Sequence, residues 1–301
     1  MTLTYAVVTP ARDEEENLRR LAPCLAAQTV LPQTWIVVDN GSGDGTADYV
    51  RELGEQHRWV RLCTAEAVEG LVRGGPIVRA FHRGLEELEG RPDVVVKLDA
   101  DVSMDSDYFE RLLEEFGANP RIGIASGGGH ELDHDGVWRL RPVGPEQAWG
   151  ASRAYRRECL QQVLPLEEAM GWDGIDQVKA AAHGWTTGSI TSIPFKHHRF
   201  EGERDGAPSA GWAAQGRASY YMGYRFSYLL LRALHHGRRD RAALALVRGY
   251  VGAAVTRTPR CPDLELRSRL RRQQRLREVV PRVRRLLASG GPARSWAGGR
   301  R

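Results

Sequence analysis

The sequence predicts an α/β protein: a mainly parallel sheet flanked by helices, followed by a helical appendage rich in arginine. The first observation behind this prediction is a set of short β-branched runs at residues 5–8, 35–39 and 94–98, which are typical of strands buried on both faces. The second is the helical periodicity between these runs, since strands that alternate with helices favour parallel pairing. The third is a helical spacing of apolar residues beyond residue 220, with arginines between them.

Composition and charge indicate a globular chain with two unlike regions. Of its 301 residues, 42% are hydrophobic and 27% are charged, as in ordinary soluble proteins. The net charge of +5 is unevenly divided: residues 231–301 contain 19 Arg, no Lys and four acids, or +15, which leaves −10 for residues 1–230. We therefore predict an α/β domain at residues 1–225 and a basic helical region at residues 226–301.

Cysteine usage and hydropathy exclude several classes of protein. The four cysteines are scattered and form no Cys-x-x-Cys pair, which predicts reduced thiols rather than a disulfide framework or a zinc site. The N-terminus has no signal-peptide pattern, and no uninterrupted apolar run approaches the length of about 18 residues that a membrane span needs. These features predict a cytoplasmic protein.

Each of the first two strands leads through a polar loop into a helix. After the first strand, four consecutive acids starting at Asp13 open a helix, because the positive end of a helix dipole favours negative charge. After the second strand, a glycine-rich loop precedes a helix over residues 47–56. This loop is not a dinucleotide fingerprint, since Thr46 stands where G-x-G-x-x-G requires its third glycine. Asp39, at the end of the second strand, is either a carboxylate of the turn or an acceptor for a ligand.

The strand at residues 94–98 ends in the acidic sequence Asp99-Ala100-Asp101. While the chain stays extended, the two carboxylates leave the same side of it, roughly 7 Å apart. Carboxylates at the carboxyl end of such a strand lie where ligands usually bind, and Mg²⁺ takes carboxylate and phosphate oxygens. The alternatives are a polar turn and a calcium loop, but Met104 occupies the position where an EF-hand needs glycine. A metal-bound diphosphate is the prediction that these residues favour.

The remaining elements of the α/β domain follow from local patterns of apolar residues, glycines and caps. A helix that begins near residue 108 is predicted to be capped by Asp105 or Ser106. A strand, a glycine segment and a hairpin after it are expected at the edge of the sheet. The predicted elements are helices at 77–88 and 108–116, a strand at 122–126, a flexible glycine segment at 127–129, a hairpin at 133–136, helices beginning at Trp149 and Gly171, and an extended segment at 192–199.

Four motifs occur in a fixed order along the chain. They are Thr9-Pro-Ala-Arg-Asp-Glu-Glu15, Val37-Val-Asp-Asn-Gly-Ser-Gly-Asp-Gly-Thr46, Leu98-Asp-Ala-Asp101 and Trp172-Asp173. This set, over residues 4–205, resembles family 2 glycosyltransferases, which are inverting enzymes of the Rossmann-like GT-A fold that use nucleotide sugars. Asp13 and Trp172 depart from the Asn and Glu that are usual in that family. The resemblance implies a nucleoside diphosphate sugar as donor and Mg²⁺ or Mn²⁺ as cofactor.

The resemblance also implies roles for individual residues. Asp101 would bind the metal ion that bridges the diphosphate, and Asp173 would be the catalytic base. The residues assigned to the nucleotide sugar are Pro10, Ala11, Arg12 and Glu14 along the nucleoside, Asp39 at the base, and Asp99, with its neighbours Lys97 and Ala100, at the ribose or sugar.

Two aspartates compete for the role of base. Asp173 and Asp176 lie three residues apart on one predicted helix, so their side chains occupy neighbouring faces. Either could instead charge the first helical turn. The resemblance favours Asp173, and Asp176 is the second candidate.

Two adjacent histidines are candidate metal ligands. In an extended segment, His197 and His198 point to opposite sides, so at most one of them is expected to reach the metal. The alternative is an ordinary surface or core-edge histidine. The nearby Lys196, Arg199 and Arg204 are either contacts for the diphosphate or solvated charges.

Two other functions compete with sugar transfer. A sugar-nucleotide nucleotidyltransferase would begin with a glycine-rich loop followed by Arg and a Pro-Lys pair, which this chain lacks. A non-catalytic module that binds nucleotide sugars is disfavoured by the intact Asp101 and Asp173. The absence of Gln-x-x-Arg-Trp favours a non-processive enzyme. Its expected acceptor is a glycan, a lipid-linked molecule or a small molecule.

The basic C-terminal region has three interpretations. It predicts peripheral contact with the anionic inner face of the cell membrane, since each well-placed Arg contributes roughly 1 kcal/mol there. A solvated helical pair and a homodimer surface are the alternatives. Nucleic acid is disfavoured as a partner because few aromatic residues are interleaved with the arginines.

Overall fold

A computed structural model of the chain describes residues 3–65, 74–133, 135–141, 143–144, 146–199, 208–238 and 240–275. The described residues form two compact units. One contains the residues up to 168 together with 179–199, and the other contains residues 169–178 and those from 208 onward. Arg204 and residues 276–301 of the predicted basic region lie outside the described residues.

The first unit is built on one sheet of nine strands in the described part of the chain. Their spatial order is β3-β2-β1-β4-β8-β6-β9-β5, with β7 paired to β6. The β3-β2-β1-β4 half is parallel, and the other half is mixed. The strands are β1 Tyr5–Ala11, β2 Trp35–Asp39, β3 Val60–Thr64, β4 Val94–Leu98, β5 Val102–Met104, β6 Ile122–Leu132, β7 Trp138–Leu140, β8 Ser152–Arg156 and β9 Thr186–His197.

Helices cover the sheet and bury its central strands. β2 and β4 are buried at every position, because their Val and Ile side chains are covered on both faces. The cap predicted for the fourth helix is wrong: Asp107 is its N-terminal flanking residue and makes no side-chain capping hydrogen bond. These helices are α1 Glu15–Ala26, α2 Thr46–Gln56, α3 Gly75–Glu86, α4 Tyr108–Ala118 and α5 Arg157–Val163. Helix α6, Trp172–Ala182, begins in the second unit.

The prediction of a helix beginning at Trp149 is wrong. The segment forms strand β8, antiparallel to β4 and β6, and α5 begins only at Arg157. β8 buries Arg153 completely, and its guanidinium donates hydrogen bonds to the Tyr155 hydroxyl at 3.0 Å and to the Ala148 carbonyl at 2.7 Å. Pairing with two neighbouring strands therefore overrides the local helical preference.

The glycines at 127–129, predicted as a flexible segment at the edge of the sheet, are part of an interior strand. They lie inside β6, which pairs with β7, β8 and β9. A Cβ at Gly127 would collide with the Ile193 carbonyl, and one at Gly129 would lie 2.7 Å from the Trp149 ring. These glycines are thus required by close packing rather than by a turn. The predicted hairpin forms, since Leu132 of β6 pairs with Trp138 of β7. Strand β3 was not predicted, because it is short and only partly buried.

The second unit is helical, as predicted beyond residue 220. Helices α7 and α9 pack closely, because Gly216 and Gly249 leave no room for a side chain between the two backbones. In the described ranges, no helix combines the length and hydrophobicity of a membrane span. The elements are α7 Pro208–Tyr221, α8 Phe226–Gly237, a 3₁₀ turn at Arg241–Leu244, α9 Ala245–Val255 and α10 Leu264–Gln273.

Candidate functional site

Three strands bring their carboxyl ends to one edge of the sheet, because β1 pairs in parallel with both β2 and β4. The loops after β1 and β2 are joined there. Asp13 has a φ of 53°, a left-handed conformation that Asp and Asn tolerate. Its Oδ1 accepts a hydrogen bond of 2.7 Å from the Gly43 amide, and its own amide donates to Ser42 Oγ at 3.0 Å. The two loops therefore support each other.

The residues predicted to line the nucleoside differ in their surroundings. Ala11 is buried, Pro10 is half-buried and Arg12 is exposed. The buried Glu14 accepts two hydrogen bonds of 2.9 Å from the guanidinium of Arg199. The Glu14 carboxylate is therefore already engaged within the protein.

Asp39 closes the turn at the end of β2. Its Oδ1 accepts hydrogen bonds from the amide of Ser42, at 3.1 Å, and from the Ser42 hydroxyl. The carboxylate is buried at the rim of the sheet. The sequence allowed Asp39 to be either a carboxylate of the turn or an acceptor for a ligand. These contacts are those of a turn carboxylate.

Asp99 and Asp101 do not have the extended geometry assumed from the sequence. β4 ends at Leu98, and Ala100 and Asp101 form a turn. The Asp99 carboxylate accepts a hydrogen bond from the ammonium group of Lys97, which is buried and also donates to the carbonyl of residue 150 at 2.9 Å. Asp99 is therefore paired with its own strand, whereas Asp101 faces other partners.

The Asp101 carboxylate lies between a histidine and an arginine. Its side chain is 10% exposed, and its Oδ1 is buried without a hydrogen-bond partner among the described residues. His197 Nε2 lies 3.6 Å from Oδ1, and Arg199 Nη1 lies 3.5 Å from Oδ2. Burial, and after it the charge of Asp99, raise the pKa of Asp101 against the influence of His197 and Arg199.

Glu131 is a member of this site that sequence reasoning missed. It is buried on β6 and is the cross-strand partner of His197, whose Nδ1 lies 3.4 Å from Glu131 Oε1. Burial opposes the charged imidazole, but the Glu131 hydrogen bond and the charge of Asp101 outweigh it and raise the pKa of His197. A carboxylate behind a histidine fixes the ring and increases the basicity of its other nitrogen. The sequence signal was an acid inside an otherwise apolar and glycine-rich strand.

The His198 side chain contacts residues other than Asp101. Its Nε2 lies 2.7 Å from Ser103 Oγ, and its ring packs edge-on against Trp138. Burial, followed by the charges of Arg20 and Lys196, lowers the pKa of His198 to about 4. The two adjacent histidines thus face different surroundings.

The two candidate bases lie at the start of α6, on the segment that belongs to the second unit. Gly171, with a φ of 88°, precedes the helix, and its carbonyl accepts hydrogen bonds from the amides of Gly174 and Ile175. Asp173 is half-buried in the first turn, whereas Asp176 is 1% exposed.

The donor atoms at the sheet edge suit a divalent cation only in part. Among the described residues, no cluster of three or more His, Cys, Asp or Glu side chains could hold a metal ion. Asp101 and His197 offer two donors, and Asp101 Oδ1 has no hydrogen-bond partner in the described structure. Mg²⁺ commonly takes one or two carboxylates and completes its coordination with phosphate oxygens and waters. The residues therefore fit an ion that arrives with a diphosphate.

Comparison with known proteins shows which family and which folds the chain resembles. A family model described as Glycosyl transferase family 2 matches residues 6–164, more than half of the chain. The mannosyltransferase PcManGT from Pyrobaculum calidifontis, solved with GDP-Man and Mn²⁺, superposes with a TM-score of 0.59 at 16% identity and covers 97% of this chain and 82% of that one. No curated protein sequence matches the chain.

Two further solved structures share the fold. S. aureus TarS 1-349 superposes with a TM-score of 0.51 at 14% identity, over 85% of this chain and 73% of that one. GalNAc-T7, solved with UDP, GalNAc and Mn²⁺, superposes with a TM-score of 0.53 at 16% identity, over 67% of this chain and 44% of that one. At such identities the likeness concerns the fold, and the predicted GT-A type of α/β fold is confirmed.

Proposed function

The chain belongs to glycosyl transferase family 2, and from this premise we propose that it moves one sugar from a nucleoside diphosphate sugar to an acceptor hydroxyl, with inversion and with a divalent metal ion. The observation that carries the proposal is the environment of Asp101. A buried carboxylate oxygen that lacks a partner in the described structure faces an imidazole nitrogen at the carboxyl edge of the sheet. Ligands of open α/β sheets bind at this edge.

The metal proposal assigns two ligands. Asp101 and His197 would hold Mg²⁺ or Mn²⁺, while His198, bonded to Ser103, is left out of the metal site. When bound, such an ion neutralises charge on the departing diphosphate as a Lewis acid. Glu131 would orient His197, and Arg199 would add positive charge beside the same phosphates.

The donor would lie along the loops after β1, β2 and β4. Asp39, held by Ser42, is proposed to accept a hydrogen bond from the base. Asp99, held by Lys97, is proposed to face the ribose or sugar, with Ala100 beside it. Pro10, Ala11 and Arg12 would line the nucleoside, with Glu14 supporting them from its pair with Arg199.

Asp173 is the proposed catalytic base. A carboxylate can act as a general base and accept the proton of an attacking hydroxyl. The base must reach that hydroxyl, so the half-buried Asp173 suits the role better than Asp176, which is 1% exposed. Acceptors compatible with the proposal are a glycan, a lipid-linked molecule or a small molecule.

The proposal is tested by donor binding and then by product analysis. A thermal-shift screen of UDP, GDP and dTDP with Mn²⁺ should select one nucleotide, since a ligand at 100 times its Kd adds about 2.7 kcal/mol to the free energy of unfolding. The matching nucleotide sugars are then incubated with acceptor mixtures. Transfer of sugar to an acceptor supports the proposal. Release of pyrophosphate would indicate a nucleotidyltransferase, and binding without turnover of any donor would indicate a binding module.

A further inference from the structure

Helix α8 of the second unit exposes leucines to solvent. Leu229 and Ala233 face inward, into an apolar cluster with α7 and α9. On the outward side, Leu230, Leu231 and Leu234 are 37%, 45% and 60% exposed. Single exposed leucines are ordinary, but several on one helix face mark an interaction site.

Exposed apolar residues also occur in the 3₁₀ turn and on α9. Leu244, in the 3₁₀ turn, is exposed and would lie 3.5 Å from a Cβ placed on Gly237, at the end of α8. On α9, Val251 and Val255 are exposed on the same face as Arg248, at positions i+3 and i+7. We call the exposed residues Leu230, Leu231, Leu234, Leu244, Val251 and Val255 the apolar face.

A cavity of about 290 Å³ lies between α7 and α9, next to this face. Arg217 and Arg248 line it with the hydroxyl-bearing Thr256 and Thr258, and its other lining residues are Gly and Ala. No acid is among the lining residues. The Thr256 hydroxyl donates to the Gly252 carbonyl at 2.9 Å and lies 3.0 Å from the Thr258 hydroxyl. The donors for a phosphate group are therefore the two guanidinium groups, which suit its oxygens.

The charge of residues 208–275 decides between possible partners for the apolar face. Residues 208–275 contain 14 Arg and 3 acids, a net charge of +11. A second copy of the chain would bring the same positive charge against it, which opposes association. An anionic bilayer is complementary in both charge and hydrophobicity. Its surface attracts Arg, and Leu and Val side chains insert at the boundary between headgroups and acyl chains.

We propose that the apolar face and the adjoining cavity dock this protein on an anionic phospholipid bilayer. The leucines and valines enter the boundary between headgroups and acyl chains, and Arg217 and Arg248 hold a lipid phosphate in the cavity. This site is separate from the donor chemistry of the proposed function, and its test requires no sugar transfer.

The test is partition of the full-length protein onto vesicles of phosphatidylglycerol, with vesicles of phosphatidylcholine for comparison. We expect clearly stronger partition onto phosphatidylglycerol. Arg217→Gln and Arg248→Gln should each weaken it about fivefold, and the double variant Leu231→Gln/Leu234→Gln about tenfold or more. Leu264→Gln and Arg272→Gln, on exposed positions of α10, are the matched controls and should change it by less than about twofold.

Three results would overturn the proposal. If the α10 controls weakened partition onto vesicles as much as the other variants, the binding would be an unspecific attraction of a basic protein to an anionic surface. A dimer in sedimentation velocity that Leu234→Gln dissociates, without vesicle binding, would make the face an interface between copies. Stabilisation by inorganic phosphate that Arg248→Gln removes, without vesicle binding, would assign the cavity to a soluble phosphate. Folding of each variant is checked by its unfolding temperature, which exposed substitutions should leave nearly unchanged.

Discussion

Arg199 and Glu14 are 185 positions apart in the sequence and share two parallel hydrogen bonds of 2.9 Å. The pair ties the chain after β9 to the loop after β1. Arg199 also lies 3.5 Å from Asp101, so one side chain connects the first loop with the acid that follows β4. Bidentate pairs of this kind fix orientation as well as adding energy.

Arg199→Gln should lower the free energy of unfolding by on the order of 2 kcal/mol, because it leaves the buried Glu14 without its main partner. In urea denaturation, the double variant Glu14→Gln/Arg199→Gln should recover part of this loss, with a coupling of about 1–3 kcal/mol. The exposed pair of Arg19 and Glu15 is the control, and Arg19→Gln should cost about 0.5 kcal/mol. If the effects of Glu14→Gln and Arg199→Gln on the free energy of unfolding were additive, the two side chains would not stabilise each other.

Asp101→Asn should separate folding from metal-dependent binding. Burial and the charge of Asp99 raise the pKa of the Asp101 carboxyl group, so its ionised form is disfavoured in the folded protein. Because the substitution removes this charge, the free energy of unfolding without divalent ions should stay constant or rise. Stabilisation by nucleotide with Mn²⁺ should be lost in Asp101→Asn and also in Asp101→Ala. Calorimetry and thermal shift measure this loss. Asp48→Asn, on an exposed acid of α2, should retain it. Undiminished Mn²⁺-dependent binding in Asp101→Asn would count against the metal assignment.

Asp173→Asn should retain nucleotide binding and lose sugar transfer by about 10²-fold or more, because the attacking hydroxyl loses its proton acceptor. Titration calorimetry and initial rates measure the two effects separately. Asp176→Asn serves as the comparison, since its 1% exposed side chain predicts a loss of stability rather than a selective loss of rate. Near-normal turnover in Asp173→Asn would move the role to Asp176.

Gly127→Ala should destabilise the sheet by about 1–3 kcal/mol, because the added methyl would collide with the Ile193 carbonyl and the Tyr108 ring. Gly117→Ala is the matched control. It lies in α4 with open space around the position, and Ala should stabilise the helix there by up to about 1 kcal/mol. Unfolding curves of the two variants that moved in the same direction would contradict the packing described for β6.

Asp93 should make stability dependent on pH in the acidic range. Hydrogen bonds from the Thr4 amide and the Thr4 hydroxyl lower the pKa of Asp93, against the effect of burial. A lowered folded-state pKa gives stability that is present above the ordinary Asp pKa of about 3.9 and is lost as the pH falls through the folded value. Wild type should therefore exceed Asp93→Asn in urea midpoint at pH 7, and the difference should shrink toward pH 2. A constant difference across this range would show that ionisation of Asp93 contributes nothing.

Local sequence predicted three of the four strands in the parallel half of the sheet and missed β3. The three predicted strands, β1, β2 and β4, each contain consecutive β-branched residues that favour a buried strand. Local patterns failed at two places where the sheet becomes mixed. The segment after Trp149 became strand β8, and the glycines at 127–129 became the interior of β6. Both outcomes depend on neighbours far away in the chain, which no local window contains.

The site shows the same division. The sequence by itself determined which acids stand at the ends of β2 and β4, since strand ends follow from short-range patterns of apolar residues. Only the tertiary structure decided that Asp99 pairs with Lys97, that Asp101 meets His197 and Arg199, and that Glu131 lies behind His197. The physical reason is that these contacts join separate strands and loops, so their geometry exists only once the sheet has set the strand register.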